Sequence, residues 1–283
     1  MKKLLVLLLA SVLVLGTWPN GTGQATEPVK IVAGTELIAD IVRDLLPGQA
    51  DLLPLVPASS CPGHHDLRAS DLAFFARANM VIIHSWQMKA PGIPEAVEAA
   101  NLPPERVQVA TDRGSWLVPE NQIAASAEVA AFLSALDTVD KKDLGARLEE
   151  RVQRIQHLSQ TSREKLAPFA GTPALSAVMQ AEFVRWAGVD VIGEYGRAED
   201  MSPGMLMELA DIGKARKVQV VVDNLQSGAE AGVPLARELH AAHVGFSNFP
   251  LFSPEVPTYE TLLEHNVALL VTALKEKAAS NGQ

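Results

Sequence analysis

Val29-Lys30-Ile31-Val32-Ala33-Gly34-Thr35-Glu36-Leu37-Ile38-Ala39-Asp40-Ile41-Val42-Arg43-Asp44-Leu45-Leu46 contains the change of period that decides the fold class. Residues 29–34 are an apolar, partly β-branched run ending at a glycine, which reads as a strand and a turn. Beyond it Leu37, Ile38, Ile41, Val42 and Leu45 recur at the spacing of one helix face, with Thr35 placed to cap that helix over 36–46. The same unit then repeats. Residues 51–56 form a second strand, which Pro54 marks as an edge or a bend because proline cannot donate to a ladder. Met80-Val81-Ile82-Ile83-His84 is a third strand and 106–110 a fourth. Helices are predicted over 71–78, capped by Ser70, and over 90–100. Strands alternating with helices imply a mostly parallel sheet.

Residues 119–169 hold no strand-like run and read as helix, with a break near Asp137-Thr138-Val139-Asp140. The part after the break is rich in charge, and Leu148, Val152, Ile155 and Leu158 leave it a narrow apolar stripe. Such a helix suits a solvated surface or a rigid strut between two lobes. After Gly171-Thr172-Pro173 the alternation restarts. Strands are predicted at 174–179, 189–193, 218–222 and 244–246. Helices are predicted at 182–187, from Ser202-Pro203 towards 210, and at 234–240 and 258–277. The expected fold class is therefore α/β: two lobes, each a mostly parallel sheet flanked by helices, joined by a long backbone helix. The expected boundaries are 1–25 for a leader, 26–118 for the N-terminal lobe, 119–169 for the linker and 170–283 for the C-terminal lobe. A bilobal binding protein of this kind places its site between the lobes, at the carboxyl ends of the strands.

Lys2 and Lys3 followed by an apolar run over 4–16 and Gly23-Gln24-Ala25 read as a cleaved signal peptide. The apolar run is short for a membrane span. With no cysteine near the cut, the expectation is a soluble, exported, periplasmic or extracytoplasmic protein rather than a lipid-anchored one. Without the two leader lysines the formal charge moves from −9 to −11. That acidity argues against nucleic acid or an anionic membrane surface as the main partner. A single cysteine in an exported chain makes no internal disulfide. Cys61 is therefore a buried thiol, a metal ligand or an intermolecular partner.

The residues that carry chemistry cluster in Cys61-Pro62-Gly63-His64-His65-Asp66-Leu67-Arg68-Ala69-Ser70-Asp71 and at His84. His64 and His65 follow a Pro-Gly turn, and His84 ends a strand. Imidazoles collected at such ends suit a cleft metal site, and the competing reading is a polar turn beside an unrelated histidine. A late strand delivers Asp223-Asn224. His157 reads as solvated, His265 as structural, and the pair His240 and His243 as a solvated face. No HExxH, nucleophile elbow or phosphate loop supports catalysis. A metal-dependent hydrolase with Glu182 or Asp66 as base is the competing enzyme reading. A pocket for a small organic ligand or a chelate, lined by Trp86, Trp116, Trp186 and Phe183, is the other.

Taken in order, the leader, the first strand and helix, the histidine loop before Ser70-Asp71, Trp116-Leu117-Val118-Pro119-Glu120-Asn121 and Asp223 resemble a known family. It is the zinc- and manganese-type group of metal-specific solute-binding proteins of ABC transporters, and the resemblance spans essentially the whole mature chain. It implies a divalent metal as transported ligand, an ABC permease as partner and a monomer that is not an enzyme. It also implies a metal held between the lobes by side chains from four separate loops or strand ends. His64, or else His65, matches the first ligand and Asp223 the last. The second histidine is absent, because Asp112-Arg113-Gly114-Ser115 precedes Trp116, and Met179-Gln180 stands where the third belongs. His84 and Glu182 are placed to replace them, with Asp66 and Asn224 as partners that orient an imidazole. The set His64, His84, Glu182 and Asp223 suits Zn²⁺, then Mn²⁺ or Fe²⁺, whereas one with Cys61 and Met179 would favour softer Cu(I) or thiolate-bound zinc. The long His/Asp-rich loop common among zinc members does not occur.

Overall fold

The first-half strands form a parallel sheet in a computed structural model that describes residues 27–64 and 66–281, with the backbone alone at His64 and Asn281. The leader expected over 1–25 and His65 lie outside the described residues. The first half runs β1 (Val29–Thr35), α1 (Glu36–Leu45), β2 (Ala50–Val56), α2 (Ala69–Phe75), β3 (Met80–His84), α3 (Ile93–Ala100) and β4 (Val107–Ala110). Its strand order is β2-β1-β3-β4, with every pair parallel. Pro54 lies on the edge strand β2, where its missing N–H leaves no gap in the middle of the sheet. β3 is buried along its whole length, which accounts for its unbroken apolar run.

The linker is α4 (Pro119–Leu133) and the 26-residue α5 (Lys141–Leu166). Between them Asp140 caps α5, its carboxylate accepting from the backbone of Lys142 at 2.8 Å and Asp143 at 3.3 Å. The second half runs β5 (Pro173–Ala177), α6 (Val178–Trp186), β6 (Asp190–Tyr195), α7 (Pro203–Arg216), β7 (Val220–Asn224), α8 (Leu225–Gly228), α9 (Val233–Glu238), β8 (Ala242–Phe246) and α10 (Tyr259–Asn281). Its strand order, β6-β5-β7-β8, repeats the winding of the first sheet. Among the described residues no helix is long and apolar enough to cross a membrane.

Three local expectations need correction. Thr35 precedes α1, but its hydroxyl makes no cap and bonds His84 instead. Ser70 lies inside α2; the turn is closed from the other side, where the Asp71 carboxylate accepts from the backbone N–H of Arg68 at 2.8 Å. The strand predicted to reach Met179 ends at Ala177, so Met179, Gln180 and Glu182 all lie in α6. A short apolar run carries too few residues to separate a strand end from a helix start by period.

α5 is more than a solvated strut. Ile155, Leu158 and Leu166 join one continuous core with Ile38 and Val42 of α1, Val129 of α4, Val220 of β7 and Leu262 and Leu270 of α10. Arg151, 1% exposed, lies within that packing. Its guanidinium meets Asp40 at 2.7 Å and Asp44 at 2.9 Å, and donates to Ser126 Oγ at 3.0 Å. With its amide oriented to satisfy both ends, Gln122 accepts from Arg151 at 3.0 Å and donates to Trp116 O at 3.1 Å. Asp40 also accepts from the backbone N–H of Tyr259 at 3.2 Å. Removing one member of a buried ion pair strands the others, so Arg151→Ala is expected to cost about 3–5 kcal/mol. Arg154→Ala, which loses half-exposed pairs to Asp44 and Glu260, should cost about 1 kcal/mol or less. Urea unfolding of both variants measures the difference.

Candidate metal site between the sheets

In an order such as 2-1-3-4 the crossovers leave the central strands in opposite directions, opening a crevice at their carboxyl ends. The two sheets turn these ends toward one another. Thr35 of β1, His84 of β3, Ala110 of β4, Ala177 of β5, Tyr195 of β6 and Asn224 of β7 all line one cleft of ≈ 700 Å³.

His84 forms part of the first-half wall. Its Nε2 lies 2.8 Å from Thr35 Oγ1 on the neighbouring strand, and its backbone N–H donates to Gln87 Oε1 at 3.0 Å. The Gln87 amide reaches on to Gly34 O at 2.9 Å, which ties the ends of β1 and β3. Trp86 stacks on the imidazole with centroids 5.6 Å apart, and Trp116 meets it edge-on at 4.3 Å. Burial pushes the imidazole down to about 3, against a weaker upward pull from Asp112. His84 is thus neutral near pH 7, the form that ligates metals.

Glu182 reaches the cleft from α6 and closes on the opposite half. Its carboxylate accepts from the backbone N–H of Ser115 at 2.6 Å and from the Asn121 amide at 3.0 Å. Gly114 allows this approach. Its φ is +79°, and a Cβ there would lie 2.5 Å from Glu182 Oε2. Asp223 is fully buried at the end of β7. It accepts from the Tyr195 hydroxyl at 2.7 Å, from the Gly232 N–H at 2.9 Å, and pairs with His243 Nε2 at 2.6 Å. Burial first, then the Asp223 charge, pushes the Tyr195 phenol up.

His84 and Glu182 thus share the cleft, while Asp223 sits among partners from its own half. His64 ends the short turn Pro62–His64, whose Pro62 and Gly63 line the cleft. Among the described residues no three of His, Cys, Asp and Glu form a cluster able to hold a metal ion. Cys61 and Met179 line the cleft, and Gln180 is buried, donating to Asn248 at 2.7 Å. Asp66 is exposed, as is His157, and His265 packs edge-on against Phe252. His243 is exposed, as expected of a solvated face, and its Nε2 also pairs with Asp223. Trp86 and Trp116 line the cleft, whereas Phe183 is buried in the core against Trp186.

Sequence reading missed Tyr195, Arg197, Gln226 and Asn248, all of which line the cleft. Gln226 donates to Ala58 O at 2.9 Å and so links the two halves. Arg197 does the same, donating to Cys61 Sγ at 3.3 Å. For Tyr195 the signal was its place at a strand's carboxyl end, beyond the predicted limit of that strand; the others had none.

A family model described as "Zinc-uptake complex component A periplasmic", ZnuA, matches residues 31–273. The manganese ABC transporter substrate-binding lipoprotein PsaA of Streptococcus mitis is 24% identical over 250 residues, covering 78% of this chain and 80% of that protein. The metal ABC transporter substrate-binding lipoprotein ScbA of Streptococcus cristatus is 19% identical over 227 residues, covering 71% and 73%. Among solved structures, a periplasmic metal binding protein from Candidatus Liberibacter asiaticus superposes with a TM-score of 0.73 at 13% identity, covering 87% of this chain and 99% of that one. A crystal structure of ZnuA superposes with a TM-score of 0.73 at 16% identity and the same coverage. At these identities the structural matches establish the fold.

Because His84 titrates near 3 in the fold and near 6.5 when unfolded, the unfolded chain binds the extra proton between those values. Stability therefore rises with pH through that window and is flat above it for this group, with a slope of at most about 1.4 kcal/mol per pH unit. Chemical denaturation at pH 7 and pH 5 should show His84→Asn losing less stability on acidification than the wild type.

Proposed function

The chain belongs to the ZnuA family of periplasmic zinc-uptake components, and from that premise we propose that it is an extracytoplasmic solute-binding protein of an ABC transporter. It captures a divalent transition-metal ion between its two lobes and delivers it to a membrane permease. Zinc is the first choice of cargo, with manganese or iron next. The chain acts as a monomer, exported behind its leader, and its work is capture and release rather than catalysis.

The observation that carries this reading is the placement of His84 and Glu182 in one cleft, on opposite halves of the molecule. A neutral imidazole from one lobe and a carboxylate from the other make a nitrogen and oxygen donor pair suited to Zn²⁺, Mn²⁺ or Fe²⁺. An ion between them takes the place of the Ser115 N–H and Asn121 amide on Glu182, so that binding and lobe contact are linked. His64, on the turn beside the cleft, supplies a second imidazole. Asp223 completes the set by exchanging a present partner for the ion, and it does so only when Tyr195, which lines the cleft and holds it, lets go.

Metal content of the exported, untagged protein, measured by plasma mass spectrometry, tests the reading. About one equivalent of a single metal is expected on the wild type. His84→Ala and Glu182→Gln should each weaken binding at least about tenfold. A wild-type protein that stays metal-free after being offered zinc, manganese and iron rejects it.

A further inference from the structure

Of the two carboxylates proposed as ligands, Asp223 is held inside its own half, whereas Glu182 is held by the opposite one. Both Glu182 oxygens are engaged there. Oε2 accepts from the Ser115 N–H at 2.6 Å and Oε1 from the Asn121 amide at 3.0 Å. The same Asn121 amide donates to Ser115 O at 3.0 Å, so side chain and turn brace one another. Gly114 forms the seat. A Cβ at that position would fall 2.5 and 2.6 Å from the two oxygens and 2.9 Å from the carboxyl carbon. Its φ of +79° is one that glycine adopts without strain. A side chain there would push the carboxylate out.

Two features make this contact releasable by a cation. Glu182 is exposed, so an ion reaches its carboxylate without opening a core, whereas Asp223 is fully buried. Asp112, which also lines the cleft, accepts from the Gly114 N–H at 3.2 Å. Two carboxylates thus rest on one glycine, and their mutual repulsion falls when a positive ion comes between them. The seat also reaches the imidazole, since Trp116, next to Ser115, packs edge-on against His84 at 4.3 Å. The Gln226 amide bond to Ala58 O, at 2.9 Å, joins the halves without any proposed ligand and stays in place.

We propose that the seat of Glu182 on Gly114 is an autoinhibitory latch. In the unloaded protein it ties α6 to the start of α4 and competes with the cargo for the carboxylate. A divalent ion bound at His84 and Glu182 releases it. Gly114 and Asn121 are then positioning residues that set how tightly the cargo binds, because apparent affinity falls with the fraction of molecules that are latched. This rests on the metal-binding reading above and adds the regulation of that site.

Amide NMR and calorimetry of the full exported protein, with zinc chloride as the probe, test the latch. In the metal-free protein the short bond to a carboxylate holds the Ser115 amide proton downfield, and Glu182→Ala moves it upfield. Zinc is expected to move the wild-type signal the same way. Asn121→Ala removes one arm of the latch and no ligand, and Gly114→Ala fills the seat. Each should bind zinc about three- to tenfold more tightly than the wild type. A thermal melt checks that both fold, and Asn121→Ala, which carries no strained φ, decides the matter if Gly114→Ala does not. Zinc binding that leaves the Ser115 signal in place overturns the latch and leaves the metal reading standing, as do folded variants that bind zinc no more tightly. Absence of zinc binding in the wild type and both variants overturns the two together.

Discussion

A guanidinium that cannot lose its proton is buried at the centre of the backbone helix, and everything around it is arranged to neutralise it. Arg151 takes its counter-charges from Asp40 and Asp44 on α1 and its neutral partners from Ser126 and Gln122 on α4. Asp40 in turn holds the first N–H of α10 through Tyr259. Four helices thus meet on one charge, which can be satisfied in one arrangement only. The constraint extends to the cleft. The Tyr259 hydroxyl donates to Leu117 O, the Gln122 amide donates to Trp116 O, and Trp116 packs edge-on against His84. The imidazole facing the cleft is therefore held by packing that traces back to the linker.

The two halves share a winding but not a chemistry. In the first, strand ends present an imidazole between two indoles. In the second they present a phenol and a carboxamide backed by further amides, with the carboxylate of Asp223 turned to Tyr195, Gly232 and His243. Before Trp116, where the resemblance to metal-specific binding proteins calls for a histidine, the Ser115 backbone N–H donates to Glu182. A position that would hold a ligand instead joins the lobes directly. Gln226 to Ala58 and Arg197 to Cys61 are further such contacts, so polar groups from both lobes already meet across the cleft.

The alternation of periods around Gly34 and again after Gly171 was enough to read two parallel α/β halves, and the charged run 141–166 was enough to read the long helix between them. Short β-branched strands and long periodic helices differ in pattern over many residues, so their type survives local ambiguity. The parts that failed were single-residue decisions. Thr35, Ser70 and Met179 each sit at a junction where a strand, a cap and a first helical turn are locally compatible; at Ser70 the neighbouring Asp71 closed the turn onto the Arg68 N–H, and at Thr35 a tertiary partner took the hydroxyl. For Thr35 that partner was His84, 49 residues away.

The sequence by itself determined the fold class, limited the proline-bearing strand to an edge or a bend, and put histidine and carboxylate near strand and helix ends, because these follow from periodicity and from backbone chemistry that acts locally. Only the tertiary structure decided which of those groups face the cleft. It put His84 and Glu182 there, enclosed Asp223 with Tyr195 and His243, and brought Arg197 against Gly63 from 134 positions along the chain. The reason is that a charged or polar group is positioned by whichever distant partners can satisfy it, and those partners are chosen by the packing of the whole chain.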